Sequence, residues 1–162
     1  MKKWIITSSV GLVIVVLALF IYAYTTVRGP LADGYDMARE KVINEEVLES
    51  VRDVSYYHGE DAFYVIYGTD TDGDDAIAWV PQDEENDTVS VFKEADGISA
   101  EDAQNLTESA VNPSKIQSIK LGKEGNTPLY EVKYRTESNQ QGYYYVAFQD
   151  GSFIKRFSLN ND

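Results

Sequence analysis

The sequence predicts an α+β protein, in which an N-terminal transmembrane helix is followed by two tandem helix-plus-antiparallel-sheet units. Residues 4–24 form one uncharged, mostly apolar run, and no other segment of the chain resembles it. Beyond this run, short segments that alternate apolar and polar residues are typical of half-buried strands. The order of a helix and then four strands occurs twice, which predicts one unit over residues 29–95 and a second over residues 96–162.

The uncharged run has the length of a membrane anchor, because about 20 apolar residues in a helix cross the hydrocarbon core of a bilayer. Lys2 and Lys3 precede it without acidic neighbours, so the positive-inside rule places the N-terminus in the cytoplasm. Trp4 and Tyr22 match the aromatic belts of the two interfaces. We therefore predict a single-pass protein of the cytoplasmic membrane, with residues 1–28 as cytoplasmic tip and anchor and an extracytoplasmic C-terminal domain.

A cleaved secretory signal peptide is the alternative, since it has the same charged start. It would have a shorter apolar centre and small residues at the cleavage site. The run here is longer, and it ends in bulky residues such as Ile21 and Tyr24. The uncleaved anchor is the favoured interpretation.

The composition limits the possible partners. The chain has no cysteine, which excludes disulfides and thiolate sites. It carries 14 Lys and Arg against 27 Asp and Glu, and two of the lysines belong to the cytoplasmic tip. A surface this acidic repels nucleic acid and other polyanions, so a protein or a neutral or cationic ligand is the expected partner.

Gly29 and Pro30, at the start of the first unit, should break the membrane helix before a second helix begins. Tyr35, Ala38 and Val42 recur at helical spacing. Strand-like runs follow at residues 54–58, 62–68, 76–80 and 88–92.

The second unit repeats this order. Ser99 is a suitable N-cap with Asp102 as its capping-box partner, and Pro113 should stop the helix. Ala103, Leu106 and Ala110 form its expected buried stripe. Strands are predicted at residues 115–121, 129–135, 142–148 and 152–158.

The alternation along the strands predicts which face of each sheet is buried. In residues 130–135 the apolar members point to the helix and the charged members to water. The repeat then assigns Trp79 and its counterpart Tyr145 to the helix-facing side, and Tyr144 to the outer face. A carbohydrate-stacking role for Tyr144 ranks below ordinary sheet packing.

The outer face of the first sheet is then apolar, since it consists of Phe63, Val65 and Tyr67. Such a face must be covered. The favoured explanation is that the second unit or the linker at residues 93–97 packs on it. The alternative is a docking surface for a partner.

Several short motifs are distinctive in combination, namely Gly68-Thr69-Asp70-x-x-Gly73, Trp79-Val80-Pro81, Gly97-Ile98-Ser99, Glu124-Gly125-Asn126 and Leu129-Tyr130-Glu131-Val132-x-Tyr134. Together they resemble the TseB-like (YpmB-like) family of Gram-positive membrane-anchored proteins. The resemblance covers nearly the whole chain and implies tandem PepSY-type, cystatin-like domains. It also implies a role in cell-wall elongation through a class B penicillin-binding protein, and it supplies no catalytic residues.

The residues themselves give these motifs structural roles. The segment from Gly68 to Gly73 reads as a hairpin connection, and Pro81 as a strand end. Its acidic cluster invites a calcium interpretation, but an EF-hand loop started at Asp70 would have glycine at the fourth position and Pro81 at the twelfth. A solvated turn is favoured. His58 is the only histidine and is expected to be structural or exposed.

We expect no enzymatic activity, no cofactor and no metal. The expected function is binding, namely regulation of a penicillin-binding transpeptidase, as the family resemblance implies. PepSY-like domains also resemble protease propeptides, so inhibition of a secreted or membrane peptidase is the alternative. Sensing of a small wall fragment or ion is a third possibility that would need a pocket.

Overall fold

The computed structural model describes the backbone of residues 2–83 and 88–159, and their side chains apart from those of residues 2–12 and 23–32. The α+β class with two antiparallel sheets is confirmed. In chain order the elements are α1 (Lys2–Asn44), β1 (Ser50–His58), β2 (Ala62–Thr69), β3 (Asp75–Pro81), β4 (Ser90–Lys93), a 3-10 turn (Glu94–Asp96), α2 (Ala100–Val111), β5 (Lys115–Glu124), β6 (Thr127–Arg135), β7 (Gln141–Ala147) and β8 (Phe153–Leu159).

Helix α1 continues through Gly29 and Pro30, so the predicted break at these residues is wrong. A proline inside a helix removes one backbone hydrogen bond, and here that loss does not end the helix. The predicted anchor over residues 4–24 is helical, but its side chains at 4–12 and 23–24 lie outside the described ones. Within the described residues, no helix has both the length and the apolar character needed to cross a bilayer.

The contacts divide the chain at Met37, and residues 38–162 form one compact unit that contains both sheets. Each sheet is a meander whose strands follow the chain order, β1-β2-β3-β4 and β5-β6-β7-β8. The hairpin between β2 and β3 pairs Thr69 with Asp75. This register fixes which side chains share a face, because successive residues of a strand point to opposite sides.

One face of the first sheet is lined by Tyr64, Ile66, Ala78 and Val80, all of which are buried. The end of α1 supplies Ala38 and Val42, which are also buried and lie one helical turn apart. The chain leaves the helix through Leu48, whose side chain lies beside Gly68 on β2. The predicted helical stripe of the first unit is confirmed at Ala38 and Val42.

Helix α2 packs on the second sheet and begins at the predicted cap. Ser99 Oγ accepts a hydrogen bond from the Asp102 amide, and the Asp102 carboxylate accepts one from the Ser99 amide at 2.9 Å. The helix buries Ala103 and Thr107, whereas Leu106 is 41% exposed. The predicted stripe was therefore out of phase after Ala103, and the Thr107 hydroxyl is satisfied by the Ala103 carbonyl at 2.8 Å.

The second sheet buries Tyr130, Val132 and Tyr134 in the core, as the alternation of apolar and charged residues predicted. Leu121 and Val146 pair with Tyr130 from the strands on either side and are also buried. These residues join side chains of the first sheet in one continuous hydrophobic core. The two sheets thus share this core, whereas Tyr64, Ile66, Ala78 and Val80 on the other face of the first sheet do not belong to it.

Candidate functional site

The apolar face predicted on the first sheet lies where this sheet packs against the second sheet. We call this contact region between the two sheets the joint. Phe63 is 4% exposed and Val65 is fully buried, while Tyr67 is half-buried against the same core. Of the two explanations for this face, the structure supports packing by the second unit. Phe63 and Val65 are therefore not available as a docking surface, because residues of the second sheet already cover them. Burial raises the pKa of Tyr67 to about 12.

Trp79 lies in this joint and not on the helix-facing side, which corrects the prediction. It pairs with Val65 across β2 and β3, so the two side chains share a face. Its ring meets Phe92 edge-on at 5.5 Å and Phe148 of the second unit at 6.3 Å between centroids. Phe148 in turn fills the space beside Gly97, where a Cβ atom would lie 2.3 Å from the ring.

Tyr57 crosses the joint from the first sheet to the second. Its ring carbons lie 2.4 Å from the place that a Cβ atom of Gly122 would occupy, so only glycine fits at that point of β5. The hydroxyl is buried without a hydrogen-bond partner among the described residues. Burial raises the pKa of Tyr57, and the nearby carboxylates of Glu124 and Glu131 raise it further.

Lys123 is the buried cation of the joint. Its ammonium donates a hydrogen bond to Ser90 Oγ at 2.6 Å and lies 5.8 Å from the centre of the Phe63 ring. Burial lowers the pKa of Lys123, an effect that the Asp61 carboxylate opposes. Sequence reasoning expected the second unit to cover this face but did not identify Tyr57 and Lys123 as residues of the joint, although an isolated glycine inside a strand, Gly122, is a signal of close approach by a bulky group.

Tyr144 is 8% exposed and shares a face with Val132, so its predicted place on the outer face is wrong. The register pairs Tyr144 with Val132, a residue of the helix-facing side, and leaves Tyr143 and Tyr145 on the other side. Its ring lies 5.2 Å from that of Phe153. A buried ring cannot stack on a carbohydrate.

The turn motif has the structural role that its sequence suggested. Asp70 Oδ1 accepts hydrogen bonds from the amides of Asp72 and Asp74, both at 2.9 Å, and Gly73 has a φ of 88°. Gly68 and Thr69 belong to β2, not to the turn. At Gly68, a Cβ atom would lie 2.0 Å from the Ser50 carbonyl oxygen. Pro81 is the last residue of β3, as expected.

The described residues contain no group of three or more metal-ligating side chains. His58 is exposed at the end of β1, with its ring 6.3 Å from that of Tyr56. A surface depression of about 270 Å³ is lined by Asp61, Ala62, Phe63, Pro81, Gln82 and Asp83.

Comparison with known proteins agrees with this architecture. The family described as "Cell wall elongation regulator TseB-like domain" matches residues 37–81, and the family described as "Peptidase propeptide and YPEB domain" matches residues 97–157. The "Probable cell wall elongation regulator TseB" of Bacillus subtilis (strain 168) is 30% identical over 162 residues, covering 98% of this chain and 99% of the relative. The chain belongs to the TseB-like family. The resemblance inferred from the sequence motifs is thereby confirmed.

The TseB-like fold is also found in a solved structure. The YpmB protein from Bacillus subtilis is 29% identical and superposes with a TM-score of 0.69, covering 76% of this chain and 96% of that one. The two family matches divide the TseB-like chain between its sheets, since residues 37–81 contain β1 to β3 and residues 97–157 contain α2 and β5 to β7.

Proposed function

We propose that this protein is a membrane-anchored, extracytoplasmic and non-enzymatic regulator of cell-wall elongation, which acts by binding a class B penicillin-binding transpeptidase. The observation that carries the proposal is the match over nearly the full length of a relative named as a probable cell wall elongation regulator. The described residues offer packed sheets and contact surfaces. A regulator that works by binding needs a folded scaffold and a contact surface for its partner.

Membrane attachment is part of the proposal. Lys2 and Lys3 precede the apolar run, and all residues from 13 to 22 are exposed, with Phe20 at 71% and Val16 at 42%. An apolar segment exposed on every side of a helix is unfavourable in water and favourable in lipid. Confinement of two proteins to one membrane raises their effective concentration, so a weak interface suffices.

Crosslinking in intact membranes tests the partner. The tagged full chain would be crosslinked in cells, the folded transpeptidases would be labelled there with a fluorescent penicillin, and the tagged product would then be purified under denaturing conditions. The proposal predicts a labelled transpeptidase in the crosslinked product and reduced elongation in cells that lack the chain. Absence of any penicillin-binding protein from the product would contradict it.

Two exchanges of the N-terminal segment test the role of the anchor. Replacing residues 1–28 by a cleavable signal peptide should abolish support of elongation, because the exported domain is no longer confined. Replacing the same residues by an unrelated single-pass helix should preserve it. Full activity of the freely exported domain would count against anchoring as part of the mechanism.

Regulation of a peptidase is the second candidate. It is favoured by the match of residues 97–157 to the peptidase propeptide family. An inhibitor would slow proteolysis by a purified secreted or membrane peptidase of the same cell. A transpeptidase regulator would leave that rate unchanged.

A further inference from the structure

Charge is distributed unevenly between the two sheets. The chain is strongly acidic as a whole, with a formal net charge of -13. Residues 115–159, which hold the second sheet, nevertheless carry seven Lys and Arg against four Asp and Glu. The second sheet is therefore a basic region of an acidic protein, and it attracts ligands that the remainder repels.

The outermost strand of that sheet, β8, combines positive charge with exposed apolar side chains. Phe153 is 56% exposed, Phe157 45% and Leu159 49%. Between the two phenylalanines lie Lys155 and Arg156, and the strand has no carboxylate. Lys155 forms an ion pair with Glu124 at 2.6 Å, whereas Arg156 is exposed and has no ion-pair partner among the described residues. We refer to Phe153, Lys155, Arg156, Phe157 and Leu159 as the β8 edge.

The backbone of β8 also has unused hydrogen-bonding capacity. β8 is the last strand in the order β5-β6-β7-β8, so its outer side pairs with no described strand. Such an edge is a template for another extended chain, and natural proteins usually shield it. The side chains are held in place for such a role, because Phe157 stacks on Tyr143 with 4.9 Å between ring centroids.

We propose that the β8 edge binds an extended, acidic segment of a partner protein, which joins the second sheet as a fifth strand. Main-chain hydrogen bonds to the outer side of β8 would provide affinity. Successive residues of such a segment point to opposite faces of the sheet, as Arg156 and Phe157 do. Its carboxylates would therefore face Arg156 on one side, and its apolar side chains would cover Phe157 on the other. The inference rests on the proposed function in one respect, namely that the chain acts by binding a protein.

A second copy of this chain is a poorer occupant. Antiparallel pairing of two β8 strands would bring Lys155 and Arg156 of one copy close to the same residues of the other. Like charges opposite each other on paired strands are destabilising. An acidic strand has the complementary charge instead.

Peptide binding to the full chain in nanodiscs of zwitterionic phosphatidylcholine tests the proposal. The probe is an end-blocked octapeptide that alternates glutamate and valine. One comparison peptide has lysine for glutamate, and another has N-methylated amides along one edge. We expect the glutamate peptide to protect the amides of residues 153–159 from hydrogen exchange. Both comparison peptides should bind at least about tenfold more weakly.

Charge reversal in the protein provides the matched pair of variants. Arg156→Glu should weaken the glutamate peptide at least about tenfold, whereas Lys133→Glu, which lies two strands inside the edge, should weaken it less than about threefold. Both residues lack an ion-pair partner among the described residues, so neither change breaks one. Unchanged thermal unfolding of each variant verifies that the fold is kept.

Several results would overturn the proposal. These are equal binding of the lysine peptide, protection of amides elsewhere than in β8, and a dimer of the chain that Arg156→Glu dissociates. Tighter binding of inorganic polyphosphate than of the peptide would identify a polyanion site instead. The assay contains no transpeptidase, so its failure leaves the crosslinking result intact. A missing transpeptidase in the crosslinked product with intact peptide binding would refute the proposed function alone.

Discussion

The ammonium of Lys123 on β5 lies 2.6 Å from the hydroxyl oxygen of Ser90 on β4. A buried cation of the second sheet is thus held by one neutral group on the edge strand of the first sheet. No carboxylate lies within ion-pair distance of it among the described residues. The joint between the sheets is thus mainly apolar, with this hydrogen bond and the longer one from Lys120 Nζ to the Tyr56 carbonyl oxygen, at 3.4 Å, as polar contacts between the two sheets.

The Lys123–Ser90 pair should give an asymmetric result on mutation. Ser90→Ala removes the acceptor and leaves a charge buried, which should lower the free energy of unfolding by about 1.5–3 kcal/mol. Lys123→Met removes the charge and keeps an apolar chain over Phe63, so its cost should not exceed about 1 kcal/mol. Urea denaturation of the full chain in detergent, followed by Trp79 fluorescence in a Trp4→Phe background, measures both.

The variant that combines Ser90→Ala with Lys123→Met completes a double-mutant cycle for this pair. In the Lys123→Met background, Ser90→Ala should cost less than about 0.5 kcal/mol, because no ammonium remains to lose its acceptor. Lys115→Met, at an exposed position of the same strand, is the control for loss of a lysine. Equal costs of Ser90→Ala in both backgrounds would show that the hydrogen bond has no energetic role.

Two valines of the first sheet distinguish its buried face from its surface. Val65 is fully buried in the joint, while Val91 on β4 is 41% exposed. Val65→Asp should lower the free energy of unfolding by more than about 3 kcal/mol, because it buries an unpaired carboxylate. Val91→Asp should change stability by no more than about 0.5 kcal/mol. A stably folded Val65→Asp chain would mean that the second sheet does not cover this face.

The strands could be predicted from sequence because alternation of apolar and polar residues is a local property. All eight predicted strands are present, and the Ser99 cap is where its motif placed it. The face of Trp79 could not be predicted, because it depends on the register that the turn between Thr69 and Asp75 sets. Packing of the second unit on the first sheet was the favoured prediction, but the pairing of Lys123 with Ser90 could not be predicted, since the two residues meet only when the sheets pack.

Removal of the hydroxyl group should change the free energy of unfolding in opposite directions at two buried tyrosines. The Tyr57 hydroxyl has no hydrogen-bond partner among the described residues, so Tyr57→Phe should stabilise the chain by about 1 kcal/mol. The Tyr145 hydroxyl donates a hydrogen bond to the Glu131 carboxylate at 2.7 Å. Tyr145→Phe should therefore destabilise by about 1.5–3 kcal/mol. Equal effects of the two changes would contradict these assignments.

Stability should fall at alkaline pH. Burial raises the pKa of Tyr67 to about 12, and it also raises the pKa values of Tyr57, Tyr130 and Tyr145. In the unfolded chain these phenols ionise near pH 10. Above that pH the folded state keeps protons that the unfolded state has lost, so the stabilisation is complete below about pH 10 and is lost as pH rises toward 12.

The pKa shift of Lys123 makes stability depend on pH in the opposite direction to the shifts of the tyrosines. The two contributions can therefore be separated by mutation. Its pKa is lowered by burial, so above the folded value the unfolded state holds the extra proton and stability rises with pH. Lys123→Met should therefore make the alkaline loss of stability steeper, whereas Tyr67→Phe should make it shallower. Urea midpoints at pH 8, 9, 10 and 11 measure the slopes. A wild-type midpoint that stays constant or rises over this range would show that the tyrosines do not dominate the titration.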